Sequence, residues 1–247
     1  MGLPFFYKED IDLVTVHVMM DEASSKHIVQ VLRMQNGEQI QLTNGKGVLF
    51  TTEITDSNKK KCTVSVIQKS EIAPRDPAGN LPTGPCGQSK ISIGISLIKN
   101  ATRFEWFLEK ATEIGVSEII PLLCSRTEKS SFKFERMKSI LVSAMLQSQQ
   151  CWLPVLHEPT KFTEVVKSAT HQQKFVAHCI DDAKRNLSDL NNESLSSKII
   201  LIGPEGDFTP GEIALALQNH YSAVSLGETR LRTETAGIVA ATLLCLV

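Results

Sequence analysis

Several things are missing from this chain of 247 residues, and each absence excludes a class of protein. The six cysteines (Cys62, Cys86, Cys124, Cys151, Cys179 and Cys245) never form a C-x-x-C pair, and the six histidines form no H-E-x-x-H. A bound metal such as structural zinc is therefore not expected, nor is a disulfide framework, and a reducing cytoplasm is the natural compartment. Charge of one sign is lacking too. Lys and Arg number 26 against 27 Asp and Glu, a formal net charge of -1. Any contact with nucleic acid must then come from local patches rather than a basic field. The longest apolar run, near the C-terminus, is too short to span a bilayer. Met1 to Tyr7 has no basic region ahead of its apolar residues and no myristoylation signal, so neither targeting nor membrane attachment is expected. No G-x-G-x-x-G follows the strand-like run that ends at Leu97, which argues against a nucleotide-dependent oxidoreductase. Internal repeats are absent. What remains is 42% hydrophobic, enough for one large or two ordinary domains.

The first seventy residues predict short strands and one helix. Val14, Val16 and Val18 alternate with Thr15 and His17, which predicts a strand over Asp12 to Val18 with one buried face. Asp21 can cap a short helix whose apolar side would be Ile28, Val31 and Leu32. Ile40 and Leu42 alternate with polar neighbours, and Asn44-Gly45 signals a hairpin into Val48 to Thr55. Cys62, Val64 and Val66 give another strand. Together these suggest a small β-barrel-like domain over 1–70. In it, eight Lys and Arg balance eight Asp and Glu, so Lys59-Lys60-Lys61 is expected to be a solvated turn. Residues 71–89 carry four prolines and three glycines, a composition that continues neither helix nor strand and marks a linker.

Over 90–247 strand-like and helical patterns alternate. Ile91 to Leu97 predicts a strand, and Phe104, Phe107, Leu108, Ala111 and Ile114 recur at helical spacing before Gly115, which ends the helix. Glu118 to Leu123, a helix lined by Met137, Leu141 and Met145, and a strand over Phe175 to Ile180 continue the series. This alternation predicts an α/β domain with a mostly parallel sheet covered by helices on both faces.

The last fifty residues are the most informative. The apolar run Lys198 to Ile202 leads into Gly203-Pro204-Glu205-Gly206-Asp207-Phe208, and Ala223 to Leu226 leads into a loop crowded with Glu228, Arg230, Arg232 and Glu234. In an open α/β sheet, ligands bind beside the carboxyl ends of the strands, so the two loops could share one site. Thr209-Pro210-Gly211-Glu212 has the form of a capped helix start, with Thr209 as N-cap and Glu212 reaching back.

GPEGDF at 203–208 followed by SLGETRLRTETA at 225–236 resembles the paired C-terminal motifs of the RsmE family, SPOUT-class methyltransferases acting on N3 of a uridine in 16S ribosomal RNA. The stretch 103–116, with Lys110-Ala111-Thr112-Glu113, is similar to that family's K-A-T-E-L-G-V helix, and Ser125-Arg126-Thr127 to its basic loop. His27 to Arg33 has the H-x-x-x-V-L-R spacing of its PUA-like RNA-binding domain. Three positions depart from the pattern. Asn100-Ala101 stands where a glycine is usual, and Gln150 replaces the arginine of E-Q-x-x-R. Asp207 replaces a frequent second glycine and needs no unusual backbone angle if it lies after the bend.

The resemblance implies a trefoil-knotted SPOUT domain over 90–247 holding S-adenosylmethionine, joined to a PUA-like domain over 1–70, working as a homodimer on ribosomal RNA or the small ribosomal subunit. Cofactor contacts are expected from Leu201, Gly203, Pro204, Glu205 and Gly206 in the first loop. The second would contribute Leu226, Gly227, Leu231, Thr233, Thr235 and Ala236. Uridine N3 bears a proton, so Arg232 is expected to stabilise a uracil anion, with Glu234 or Glu205 as proton acceptor or orienter. RNA contacts are expected at His27, Arg33, Lys110 and Arg126, although His27 is equally readable as a core or capped histidine. Methylation of another RNA and a non-catalytic assembly factor are the alternatives.

Overall fold

The computed structural model describes residues 2–72, 90–128, 131–180, 184–192 and 197–245. The expected linker, with Cys86, lies outside the described residues beyond Ile72. The chain divides into two compact units, Met1–Pro74 with Met145–Leu153, and Arg75–Ala144 with Pro154–Val247.

In the first unit the strands are β1 (Phe5–Tyr7), β2 (His17–Met19), β3 (Gln39–Thr43), β4 (Val48–Asp56) and β5 (Thr63–Glu71). They form one sheet in the order β1-β3-β4-β5-β2, antiparallel except for β1 against β3. The alternation read in the sequence puts Ile40, Leu42, Phe50, Ile54 and Val64 into a single core with Ile28 and Cys62. The hairpin turn falls where Asn44-Gly45 announces it, with Gly45 at φ 71° and Gly47 at φ 83°.

Two local expectations fail here for physical reasons. Only Val18 of the valine series is buried, while Val14 and Val16 face solvent. Asp12 Oδ1 accepts the N–H groups of Val14 at 3.1 Å and Thr15 at 2.9 Å, so a side chain takes donors that a strand would need. The helix begins as α1 (Glu22–Lys26), capped by Asp21, but widens into a π turn over His27–Val31. The Leu32 N–H reaches back to His27 O, and one extra residue in the turn rotates later side chains outward. Ile28 stays buried, whereas Val31 is 67% and Leu32 40% exposed.

Residues 145–153 complete this first unit. Trp152 donates its indole N–H to Ile72 O at 3.1 Å, and its ring covers Gly47, where an added Cβ would come within 2.2 Å of it.

The second unit follows the alternation, with β6 (Lys90–Ser96), α2 (Ala101–Ile114), β7 (Glu118–Leu123), α3 (Phe134–Gln147, its last three residues counted in the first unit), β8 (Val155–Leu156), β9 (Thr160–Lys161) and α4 (Phe162–Ser168). It continues with β10 (Gln173–Ala177), β11 (Arg185–Asn186), α5 (Leu187–Leu190), β12 (Ser197–Ile202), α6 (Pro210–Gln218), β13 (Ser222–Ser225) and α7 (Thr233–Cys245). The strand order is β11-β13-β10-β12-β6-β7-β8, with β9 also on β7, and every pairing is parallel.

Helices cover both faces, as the near-continuous apolar strands require. On one, Val176, Ile199 and Leu201 pack with Phe162 and Val166 of α4 and Ile213 and Ala216 of α6. On the other, α7 lies so close to α2 and β6 that a Cβ at Gly237 would fall 2.7 Å from the Phe107 ring and 2.9 Å from Ile95. Helix α2 ends at Gly115, φ 105°, as its sequence predicts. Among the described residues no helix is long and apolar enough to cross a membrane.

At the amino edge of the sheet, Glu118 is buried among Ser92, His157, His171 and Lys90. His171, with Ser92, His157 and Lys90, holds the Glu118 carboxyl well below the ordinary carboxylate range, against burial that acts upward.

Candidate functional site

Because β10, β12 and β13 are parallel neighbours, the loops leaving their carboxyl ends emerge on the same edge of the sheet. These loops line a cavity of about 560 Å³, within the range that holds a small-molecule ligand. The two C-terminal loops read from the sequence therefore share one site.

The first loop is shaped by its own chemistry. A Cβ on Gly203 would meet the Phe208 ring and N–H nitrogen at 3.2 Å, so a side chain there would require Phe208 to shift by a few tenths of an ångström. The Gly203 carbonyl accepts the Thr233 hydroxyl at 3.0 Å, which ties this bend to the start of α7. The Asp207 N–H donates to Pro204 O at 2.9 Å and closes a turn. Asp207 therefore lies within the bend and not after it, so the condition for an ordinary angle is not met and it takes a left-handed backbone, φ 63°. Its carboxylate makes this tolerable by accepting the Phe208 and Cys179 N–H groups, each at 2.8 Å.

Beyond the bend, α6 starts with the expected capping box between Thr209 and Glu212. Glu212 also accepts the Ser125 N–H at 2.8 Å, fixing the loop after β7. Burial raises its carboxyl, but hydrogen bonds from Thr209 and Ser125 outweigh it and the group titrates below its ordinary value. Arg126 donates to Gly206 O at 2.6 Å and buttresses the bend from outside.

The expected cofactor residues divide cleanly. Gly203, Pro204 and Glu205 line the cavity from the first loop, and Leu226, Gly227, Leu231, Thr233 and Ala236 from the second. Leu201 is instead in the core beside Gly94, Gly206 faces Arg126, and Thr235 is not part of the lining. Of the catalytic candidates, Arg232 and Glu205 line the cavity. Glu234 does not; it is 7% exposed and ion-paired with Arg103 of α2 at 3.6 Å.

The expected RNA contacts are dispersed. Lys110 is held on α2 by Glu109 at 2.7 Å and Glu113 at 2.9 Å, away from the cavity. His27 and Arg33 belong to the first unit, both exposed, with His27 edge-on to Phe6 and Arg33 at φ 56°.

Sequence reasoning missed the third wall. His178, Cys179 and Lys184, after β10, also line the cavity, and Lys184 donates to His178 O at 2.8 Å. The available signal was the apolar run of β10 ending in polar residues, the same arrangement that marked the other two loops.

Comparison with known proteins gives a consistent result. Residues 86–245 match the RNA methyltransferase domain family, and residues 21–67 the RNA methyltransferase PUA domain family. A solved structure from Porphyromonas gingivalis, described as a probable rRNA-methyltransferase, is 34% identical with a TM-score of 0.86 over 98% of each chain. The ribosomal RNA small subunit methyltransferase E of Neisseria gonorrhoeae, solved bound to S-adenosyl methionine, is 25% identical. Its TM-score is 0.81 over 98% of this chain and 96% of its own. The Synechocystis ribosomal RNA small subunit methyltransferase E is 28% identical over 235 residues, covering 92% of this chain and 72% of that protein.

Proposed function

The chain belongs to the RsmE family of RNA methyltransferases, and on that premise we propose that it transfers a methyl group from S-adenosylmethionine to N3 of a specific uridine in 16S ribosomal RNA. The observation that carries this reading is the convergence of three loops, after β10, β12 and β13, on one cavity.

The lining fits the donor. Ile202, Val224, Leu226 and Leu231 offer an apolar slot for an adenine ring, and Gly203 and Gly227 leave main-chain groups accessible beside it. Glu228 supplies negative charge for an ammonium or sulfonium group. Bound there, S-adenosylmethionine supplies a methyl carbon already activated by a positively charged sulfur.

What the protein must add is a free lone pair on N3. In this reading Glu205 accepts the N3 proton, and the Arg232 guanidinium holds the negative charge that moves onto the uracil oxygens. Glu234, paired with Arg103, is the orienter. Arg232→Ala is expected to lower turnover on the order of a hundred-fold. Its affinity for S-adenosylmethionine, measured by calorimetry, should stay near the wild-type value. A normal rate of methylated-nucleoside formation by mass spectrometry would refute the assignment, and absence of donor binding by the wild type would refute the enzyme reading.

Three further parts belong to the proposal. A trefoil knot is supported by the position of β12 between β6 and β10 and by the return of α7 onto α2, β6 and β12. A homodimer is supported by α7, whose Ile238, Val239 and Leu243 leave apolar surface half-buried outside the core. Binding of ribosomal RNA by the first unit would use His27 and Arg33, phosphate contacts that position without reading sequence. The cytoplasm is the corresponding compartment.

A further inference from the structure

The backbone and the side chain of Asp207 act in opposite directions on the bend after β12. Its left-handed φ of 63° is a conformation that glycine adopts freely and that a Cβ disfavours. On backbone grounds alone, glycine would be the better residue. The carboxylate is what the aspartate adds. Oδ1 accepts the N–H of its neighbour Phe208 at 2.8 Å, and Oδ2 crosses to the loop after β10 and accepts the Cys179 N–H at 2.8 Å.

Cys179 lies two residues past the end of β10, the strand between β12 and β13, and both it and Asp207 line the cavity. The bond therefore ties the wall from β10 to the bend from β12. A second tie acts on the same wall, where Lys184 Nζ donates to His178 O at 2.8 Å. The bend itself is anchored elsewhere by Thr233 at Gly203 O and by Arg126 at Gly206 O. The bend thus has anchors besides Asp207, and the contribution that Asp207 alone makes is its bond to the wall.

We propose that Asp207 is a positioning residue for methyl-donor binding, its carboxylate fixing the main chain at Cys179 and so the side of the cavity formed after β10. The proposal rests on the reading of this cavity as the S-adenosylmethionine site. It differs from a purely structural role because removing the carboxylate in favour of glycine also relieves the left-handed strain. Loss of binding is then separated from loss of stability.

The test uses the full chain and the variants Asp207→Gly and Asp207→Asn. Donor affinity is measured by titration calorimetry with S-adenosylmethionine, and stability by thermal melting without ligand. Asp207→Gly is expected to melt near the wild-type temperature and to bind the donor on the order of ten-fold more weakly. Asp207→Asn tolerates the same backbone and keeps one acceptor, so it should fall between. A wild-type dissociation constant in Asp207→Gly overturns the proposal. So does a weakened affinity accompanied by a large drop in melting temperature, which would make Asp207 structural only. If the wild type itself binds no S-adenosylmethionine, the donor-site reading fails and the role of Asp207 with it.

Discussion

Glu118→Gln replaces a buried carboxylate with an amide of the same shape, and the structure sets the size of the effect. His157 Nε2 lies 2.7 Å from one carboxylate oxygen. The Ser92 hydroxyl donates to the other, with Lys90 Nζ at 3.3 Å and His171 Nε2 at 3.8 Å. A hydrogen bond to a charged group contributes roughly 1.5–3 kcal/mol, and removing one partner of a buried pair costs about 3–5 kcal/mol. Lys90 is more than half exposed, so its share is discounted for screening. The net loss at pH 7 should be on the order of 3 kcal/mol, a fall of roughly 6–12 °C in melting temperature for a chain of this length.

The pH dependence gives a second handle on the same group. The folded carboxyl titrates below its ordinary value of 4.5. Its stabilisation is therefore complete above that value and is lost as pH falls through the lower folded one. Melts of wild type and variant, followed by circular dichroism from pH 7 downward, should show a gap that is constant above pH 4.5. Below it the gap should narrow by about 1.4 kcal/mol per pH unit. A variant as stable as the wild type at pH 7 would refute the reasoning. A gap that stays constant to the lowest pH at which both remain folded would refute it too.

Two other substitutions test the units separately. Gly47→Ala forces a Cβ into φ 83° and within 2.2 Å of the Trp152 ring, so it should cost about 2 kcal/mol or more and change tryptophan emission. Thr209→Ala removes the N-cap of α6 and should cost about 1 kcal/mol by chemical denaturation, while Glu212 keeps its bond to Ser125.

Much of the second unit was legible in the sequence because local and global signals agree there. The apolar stripe of α2, ended by left-handed Gly115, is one case. The capping box of α6 is another. Legibility failed where a side chain outcompeted a backbone pattern. At Asp12 a carboxylate took the donors of an expected strand, and at Asp207 a carboxylate stabilised an angle that a Cβ disfavours. It failed again where the helical period itself changed, in the π turn after α1. The strands β8, β9 and β11 are two residues long and carry no periodicity to detect. Within the site, the charged loop announced its chemistry but not its orientation. Arg232 lines the cavity while Glu234, two residues on, is buried against Arg103.

The indole of Trp152 over Gly47 bears on how the protein is made. Synthesis runs from the N-terminus, and the first unit lacks this ring until residue 153 has left the ribosome, after α2 and α3 have been translated. The β3–β4 turn at Gly47 is therefore without this ring through the making of roughly eighty residues that belong mostly to the other unit. A fragment stopped at Ile72 would lack both the ring that packs on Gly47 and the donor that Ile72 O accepts, so part of the cover of the first seventy residues is a strip of chain that arrives much later.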